Sequence, residues 1–501
     1  MKESNYIILN NAKVLLIAQI ITWASSFVLI MLLPRYLGAD EYGHLYFVIS
    51  LTMLGAMVVD LGLGNFFVKE IARDRSKVNE FFMNGIGLRA VAWVAVMAGL
   101  FLYVWVMGYS QETFTLLFIL GFGKLFEMIA DLGHRVFQSF ERLVYRSIAL
   151  VVQQVSLAII AVAMIFAGYG IVWIAAAMTF SVLLNFLACF YFLPRLVVLK
   201  FRMQLSTWLG ILRGGLPFLV ASFFSFVYFR IDVVMLSSMA SNRVVGWYGA
   251  PYKLFDTLMF FPSIMFVVVF PVFSRLWKES KEEFIQSARR ALDLTLIVGV
   301  FAGFSLIVLA RPVIDFLFGL RQYAPSVILL QGLAVCIPLV YANFVIGAVD
   351  TSSDKQKEIS VVAIIATVIN IGLNLWMIPF FQKSYGNGAI GAMIATTITE
   401  ICVMVMDIYL LPKGCFSAEN VLLAEKSVAA GIVAGAILWY AESNLHLWYI
   451  SGIIGAVVYA VLLVAAKVLT KREWEIAKSF LKTRRSTAFA SQHVPADAAG
   501  K

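Results

Sequence analysis

Charge is scarce in this chain. Asp, Glu, Lys and Arg make up 14% of its 501 residues, while 61% are hydrophobic. A soluble chain carries about 25% charge and roughly 45–50% apolar residues. No polar block is long enough to fold as a separate soluble domain, and the longest polar stretch is the tail after Leu469. These shortages exclude a soluble enzyme held by an anchor and point to a polytopic membrane protein. The four cysteines (Cys189, Cys336, Cys402, Cys415) form no C-x-x-C, and the four histidines form no H-E-x-x-H. No disulfide framework, metal site or cofactor motif follows. No catalytic constellation stands out either.

What is present is a series of apolar runs. Windows of about twenty residues, the length a helix needs to cross a bilayer, place fourteen spans at 9–33, 44–68, 81–107, 113–134, 145–168, 170–194, 213–238, 246–273, 287–310, 325–348, 358–381, 386–411, 423–441 and 447–469. The first, without an A-x-A cleavage site after it, reads as a retained helix. The net charge of +10 first suggests nucleic acid, but the basic residues sit in short loops between spans. With the N-terminus inside, one face collects Lys69 to Lys77, Arg135 to Arg146, Arg195 to Arg213, Arg275 to Arg290, Lys355, Lys357, Lys413 and Lys426. The other holds Arg35, Arg243, Arg311, Arg321 and Lys383. That asymmetry sets topology, with both termini expected in the cytoplasm. Two linkers, Glu279–Leu294 and Lys471–Arg485, have an amphipathic pattern suited either to an anionic lipid surface or to solvated helix extensions.

The chain also repeats. Leu37–Tyr46 and Met239–Tyr248 are both short polar turns with a glycine (Gly43, Gly246) and a tyrosine opening the next span. Six spans separate them, an even number, so two six-helix lobes share orientation and are related by a pseudo-two-fold along the membrane normal. The expected organisation is a first lobe at 1–200, a second at 201–412, two extra helices at 413–470 and a basic cytoplasmic tail at 471–501.

Ionisable residues inside the spans face a protein interior or a watery cavity, because lipid exposure costs a few kcal/mol or more each. Arg230, Asp232, Lys253 and Asp256 lie in the seventh and eighth spans. Arg230 and Asp232, two apart, do not face each other, whereas Lys253 and Asp256 have the spacing of a local pair. Asp60 and Arg89 lie about two turns from the basic face and are spaced to meet across helices, as a static pair or a gate. Lys124, Glu127 and Asp131 share one stripe of the fourth span, two acids to one base, which leaves a carboxylate for a proton or Na⁺. Glu400 has no local basic partner. It is read as protonated, hydrogen-bonded or ion-coupling, while Asp407, near the basic end, needs no special role. Asn370 and Asn374 share a face, a pattern suited to interhelical hydrogen bonds.

The turn Arg35-Tyr-Leu-Gly-Ala-Asp-Glu-Tyr-Gly43, Asp60–Gly64 with Lys69–Arg73, Leu216–Phe218, Phe229–Asp232, Val245–Tyr248, Asn370–Asn374 with Ile378 and Pro379, and Gly388–Ala392 together resemble the polysaccharide-transport flippases. Those belong to the multidrug/oligosaccharidyl-lipid/polysaccharide exporter superfamily. The resemblance implies an all-α protein of about fourteen transmembrane helices working by alternating access in the cytoplasmic membrane. Its implied cargo is an oligosaccharide on undecaprenyl pyrophosphate, and its implied neighbours are membrane lipids and polysaccharide polymerase or assembly proteins. For such a cargo, Arg230, Arg89, Lys253 and Lys124 are the candidate cavity cations for the diphosphate. Asp60, Glu127, Asp131, Asp232 and Glu400 are the candidate gating or ion-coupling groups, with H⁺ or Na⁺ as the ion and no cofactor. A cation-coupled multidrug antiporter shares this fold. A membrane glycosyltransferase does not fit the short outer loops.

Overall fold

The computed structural model describes residues 2–198, 200, 203–445, 447–466 and 468. Side chains are described from Ile17 onward, apart from 65, 69, 72, 73, 216–218, 220–222, 225 and 445. The expected tail at 471–501, with its amphipathic Lys471–Arg485, lies outside the described residues.

Long apolar runs with few breakers make long helices, and the breaks between them are local backbone events. The first helix, α1 (Lys2–Asp60), bends at Gly38, whose φ of 74° and ψ of 175° are open only to glycine. Its apolar portion, Ile17–Asp60, is 44 residues long, enough to cross a bilayer twice. Leu61 and Gly62 then take φ of 54° and 68°, which ends the second crossing. An expected span end at residue 68 is thus too late. The following α2 (Leu63–Arg73) is a separate helix with one buried face.

Next come α3 (Val78–Val106), α4 (Gln111–Ser139), α5 (Leu143–Phe166) and α6 (Ile171–Phe192). Gly168, at φ 76°, turns the chain between α5 and α6. The second half of the chain opens with α7 (Leu205–Met239), then α8 (Asn242–Leu258) and α9 (Phe260–Glu279), one span broken at Met259. It continues with α10 (Lys281–Leu317), the single turn α11 (Leu320–Tyr323), α12 (Ser326–Ser352), α13 (Gln356–Tyr385) and α14 (Gly388–Leu410). Two extra helices follow, α15 (Ala418–Leu445) and α16 (Trp448–Ala465). Twelve stretches of the described residues have the length and apolarity of a span. Counting the bent first stretch twice and adding α7 gives fourteen crossings. The Glu279–Leu294 linker is largely the first turns of α10. The Ser280 hydroxyl caps it by accepting from the Glu283 amide at 3.3 Å, and Phe284 and Ala288 pack against Phe273.

The repeat is visible in who packs on whom. In the first half α3 packs on α4, α4 on α6, α5 on α6, and α1 on α5. Six spans later α10 packs on α12, α12 on α14, α13 on α14, and α7 on α13. The two halves meet along α1 and α8, and α15 and α16 lean on α10.

Candidate translocation site

Three charged or polar clusters stand out among the described residues. The first lies near the basic face of the first lobe. Arg89, only 1% exposed on α3, reaches the Asp60 carboxylate at the end of α1, Asp131 on α4 at 3.2 Å, and the Met128 carbonyl. Asp131 also accepts from Arg135, one turn on, at 3.2 Å. The sequence pattern left one of the two acids on the Lys124, Glu127 and Asp131 stripe without a base. The structure corrects this, since two guanidiniums share Asp131. Arg135 was legible as its i,i+4 partner. Lys124 and Glu127 close on each other at 2.6 Å, so all three members of the stripe are neutralised within α3, α4 and the end of α1. In this conformation Arg89 is buried and engaged by its partners.

The second cluster joins the two lobes at mid-membrane. Arg230 on α7 donates to Asp256 on α8 at 2.7 Å and to the Tyr46 hydroxyl of the first lobe at 3.1 Å, with its guanidinium over the Tyr252 ring. The pair expected between Lys253 and Asp256 does not form. Asp256 turns to Arg230, and Lys253 is exposed with no carboxylate within 4 Å among the described residues. Helical spacing allowed either partner, and the neighbouring helix decided. Asp232, 1% exposed, accepts from the Tyr248 hydroxyl and from the Val233 amide at 2.8 Å, so it is not paired with Arg230. Glu400, on α14, accepts from the Tyr228 hydroxyl on one oxygen and from Asn343 at 2.9 Å on the other. Tyr228 and Asn343 carried no sequence signal, being single polar residues in apolar runs, while Tyr46 and Tyr248 were noted only as the tyrosines of the repeated turn. Asn374 donates to Asn370 at 2.9 Å, and Asn370 faces Thr399 on α14 at 3.5 Å.

The third cluster shuts the face opposite the basic loops. Arg35 donates to the carbonyls of Leu317 at 2.9 Å, Asp315 at 3.1 Å and Phe316. These carbonyls lie in the last turn of α10, where the helix dipole also favours a cation. The Gln322 side chain fills the space left by the absent Cβ of Gly38 and accepts from the Ala39 amide at 3.0 Å. Tyr323 donates to the Pro34 carbonyl at 3.0 Å. Between these bonds two glycines touch reciprocally. A Cβ on Gly43 would lie 2.5 Å from the Gly246 nitrogen, and one on Gly246 would lie 2.8 Å from the Ala39 carbonyl carbon. Ala39 and Gly43 are one turn apart, as are Asn242 and Gly246 on the facing helix. Residues that contact each other in this exchanged way mark a two-fold relation, and they are the glycines that align in the sequence repeat.

Residues 8–277, more than half of the chain, match a family described as polysaccharide biosynthesis protein. A probable lipid II flippase MurJ of Haemophilus influenzae is 25% identical over 238 residues, 44% of this chain and 44% of that relative. The chain therefore matches less than half of that relative's length. A solved structure of lipid II flippase MurJ in an inward closed conformation superposes with a TM-score of 0.74 at 15% identity, covering 89% of this chain and 97% of that one. The inward-facing conformation of a multidrug resistance MATE family transporter of the MOP superfamily gives 0.64 at 16% identity, over 82% and 96% of the two chains. These likenesses concern the fold.

Proposed function

This chain belongs to the polysaccharide biosynthesis protein family, and from that premise we propose that it is a flippase for oligosaccharides carried on a lipid diphosphate. In this reading the face with the basic loops and both termini is cytoplasmic. Cargo is taken up there and released on the other side by alternating access across the cytoplasmic membrane. The observation that carries the reading is the reciprocal glycine seam between α1 and α8. It is a close backbone contact on one face, made by corresponding turns of two similar halves and reinforced by side-chain bonds that can be broken and remade. A gate of this kind suits a carrier better than an enzyme.

The charges favour an anionic head. Arg230 bridges the halves, and Lys253 stands nearby without a carboxylate partner among the described residues, so a diphosphate arriving between the lobes competes for cations already in place. Three of the acids that a cationic drug could use are engaged by cations: Glu127 by Lys124, Asp131 by Arg89 and Arg135, and Asp256 by Arg230. This sets the multidrug antiporter behind the flippase. The lipid tail would remain in the bilayer while the glycan crosses. The lobes proposed at 1–200 and 201–412 would move as bodies, with 413–470 riding on the second, and polymerase or assembly proteins would receive the product.

The test is translocation of a lipid-diphosphate oligosaccharide in proteoliposomes. Wild type is expected to move it and Arg230→Ala to lose most of that rate. Transport by neither, together with uptake of a fluorescent organic cation that Glu127→Gln abolishes, would replace this reading with the antiporter.

A further inference from the structure

A cavity of about 720 Å³ lies between α10, α12 and α15, where the first of the two extra helices leans on the second lobe. Small residues on α15 make it. A Cβ on Gly431 would stand 2.5 Å from the Phe304 ring, so the two helices touch at that level. One turn outward a Cβ on Gly435 would meet Phe304 and Val308 only at 3.6 and 3.7 Å, and Ala436 follows, so α15 has little side chain there to fill the gap. Gln331 on α12 donates to the Ile307 carbonyl on α10 at 3.0 Å and closes the back of the hollow. Ile432 and Trp439, both exposed, stand on its rim, so it opens sideways toward the bilayer.

Two opposite charges line this apolar hollow, Arg311 on α10 and Glu442 on α15. The apolar runs at 287–310 and 423–441 end immediately before them, which puts both at headgroup level on the face opposite the basic loops. Counted from the Gly431–Phe304 contact, Arg311 is seven residues outward and Glu442 eleven. At 1.5 Å per residue these are heights of about 10 and 16 Å, so Glu442 stands about 6 Å nearer the water. The Trp439 indole, eight residues beyond Gly431, is close to the level of Arg311. The two charges do not neutralise each other. Among the described residues neither has an oppositely charged group within 4 Å. Asp315, one turn past Arg311, turns its carboxylate to the Leu320 amide at 3.1 Å instead. Pro312, also in the wall, has no N–H to offer the Val308 carbonyl, which leaves a further acceptor beside the hollow.

We propose that this groove binds one phospholipid with an amine-bearing headgroup, a phosphoethanolamine lipid of the leaflet opposite the basic loops. An acyl chain lies along Phe304 and Gly435. The phosphate accepts from the Arg311 guanidinium and the Trp439 indole, and the ammonium reaches the Glu442 carboxylate. The vertical order of the protein charges is that of the headgroup, whose phosphate is joined to the glycerol and whose ammonium stands two carbons further toward water. A phospholipid without the amine leaves Glu442 facing an anion with nothing to offset it. A prenyl diphosphate adds negative charge at the same height, so the cargo of the flippase reading is a poor occupant. The groove shares no lining residue with the Arg230 cluster. It stands whether or not the cargo reading does.

Native mass spectrometry of the full-length protein, released from nanodiscs holding equal phosphatidylethanolamine and phosphatidylglycerol, tests this. Wild type is expected to retain one phosphatidylethanolamine per chain and to prefer it about fivefold, the size of one part-exposed ion pair. Glu442→Gln should erase the preference while keeping the lipid. Arg311→Ala should weaken retention of both lipids, and Gly435→Leu, which fills the hollow, should do the same. Lys383→Ala, on the same face and outside the groove, should change neither. The midpoint of thermal unfolding establishes that each variant is folded. No preference in wild type, or one that survives Glu442→Gln, overturns the headgroup assignment. Retained lipid indifferent to both Arg311→Ala and Gly435→Leu overturns the site. Displacement of phosphatidylethanolamine by an equal amount of a polyprenyl phosphate assigns the groove to a prenyl chain and overturns the proposal as well.

Discussion

Replacing Gly246 with alanine should force open the face opposite the basic loops. The added carbon would stand 2.8 Å from the Ala39 carbonyl carbon and 3.1 Å from the Ala39 Cα. Non-bonded carbons rest at about 3.5–4.0 Å, so the facing backbones must part by roughly 1 Å. No side chain can yield instead, because the obstacle is main chain. Overpacking of this kind costs about 1–3 kcal/mol, charged only to the conformation in which α1 and α8 touch. At about 1.4 kcal/mol per tenfold, the closed population should fall roughly 5- to 150-fold. Spin labels at Gln111→Cys and Arg321→Cys, both exposed on that face, would read the separation of the lobes by pulsed electron resonance. The distance distribution should move to longer values in Gly246→Ala and stay put in Gly99→Ala, where a Cβ meets nothing within 4 Å. An unchanged distribution in folded Gly246→Ala would refute the seam as a gate.

Arg35→Ala should shift the same distances outward by a smaller population change, about 1–2 kcal/mol, since it removes charge-assisted hydrogen bonds to the α10 carbonyls without a clash. Arg89→Ala strips the cation from two carboxylates near the basic face and should destabilise the first lobe by about 3–5 kcal/mol. A lowered midpoint of thermal unfolding in detergent, not rescued by Arg89→Lys because one ammonium cannot reach all three partners, is the expected result. Asp256→Asn frees Arg230 from its ion pair. If Arg230 receives the diphosphate, binding of a short-chain lipid diphosphate should tighten several-fold in Asp256→Asn and weaken in Arg230→Ala, as measured by calorimetry.

Much of the architecture was legible because the bilayer imposes a one-dimensional rule. Span positions followed from apolar run length, and the repeat from one turn recurring at Gly43 and Gly246. The second span was read too long because Leu61 and Gly62 break the helix inside a run that stays apolar through Phe67. Among the charges, Asp60 with Arg89 was anticipated from depth alone, since both lie about two turns from the same face. Asp256 was not, because Lys253 at i+3 was as good a partner on paper as Arg230 on another helix. Asp350, buried with neither carboxyl oxygen hydrogen-bonded, drew no notice at all. At the end of a span an acid looks like a solvent-facing residue, and only the packing of α12 on α14 buries it.

The amino-acid order alone determined that this chain fills a membrane with two similar sets of helices and carries cations and acids at fixed depths. Depth is set by rise per residue, which is local. Which carboxylate meets which guanidinium, which glycines touch, and which acid is left without a donor were settled by the tertiary structure. Rotation of a helix about its own axis depends on every neighbour it packs against, and no span contains that information by itself.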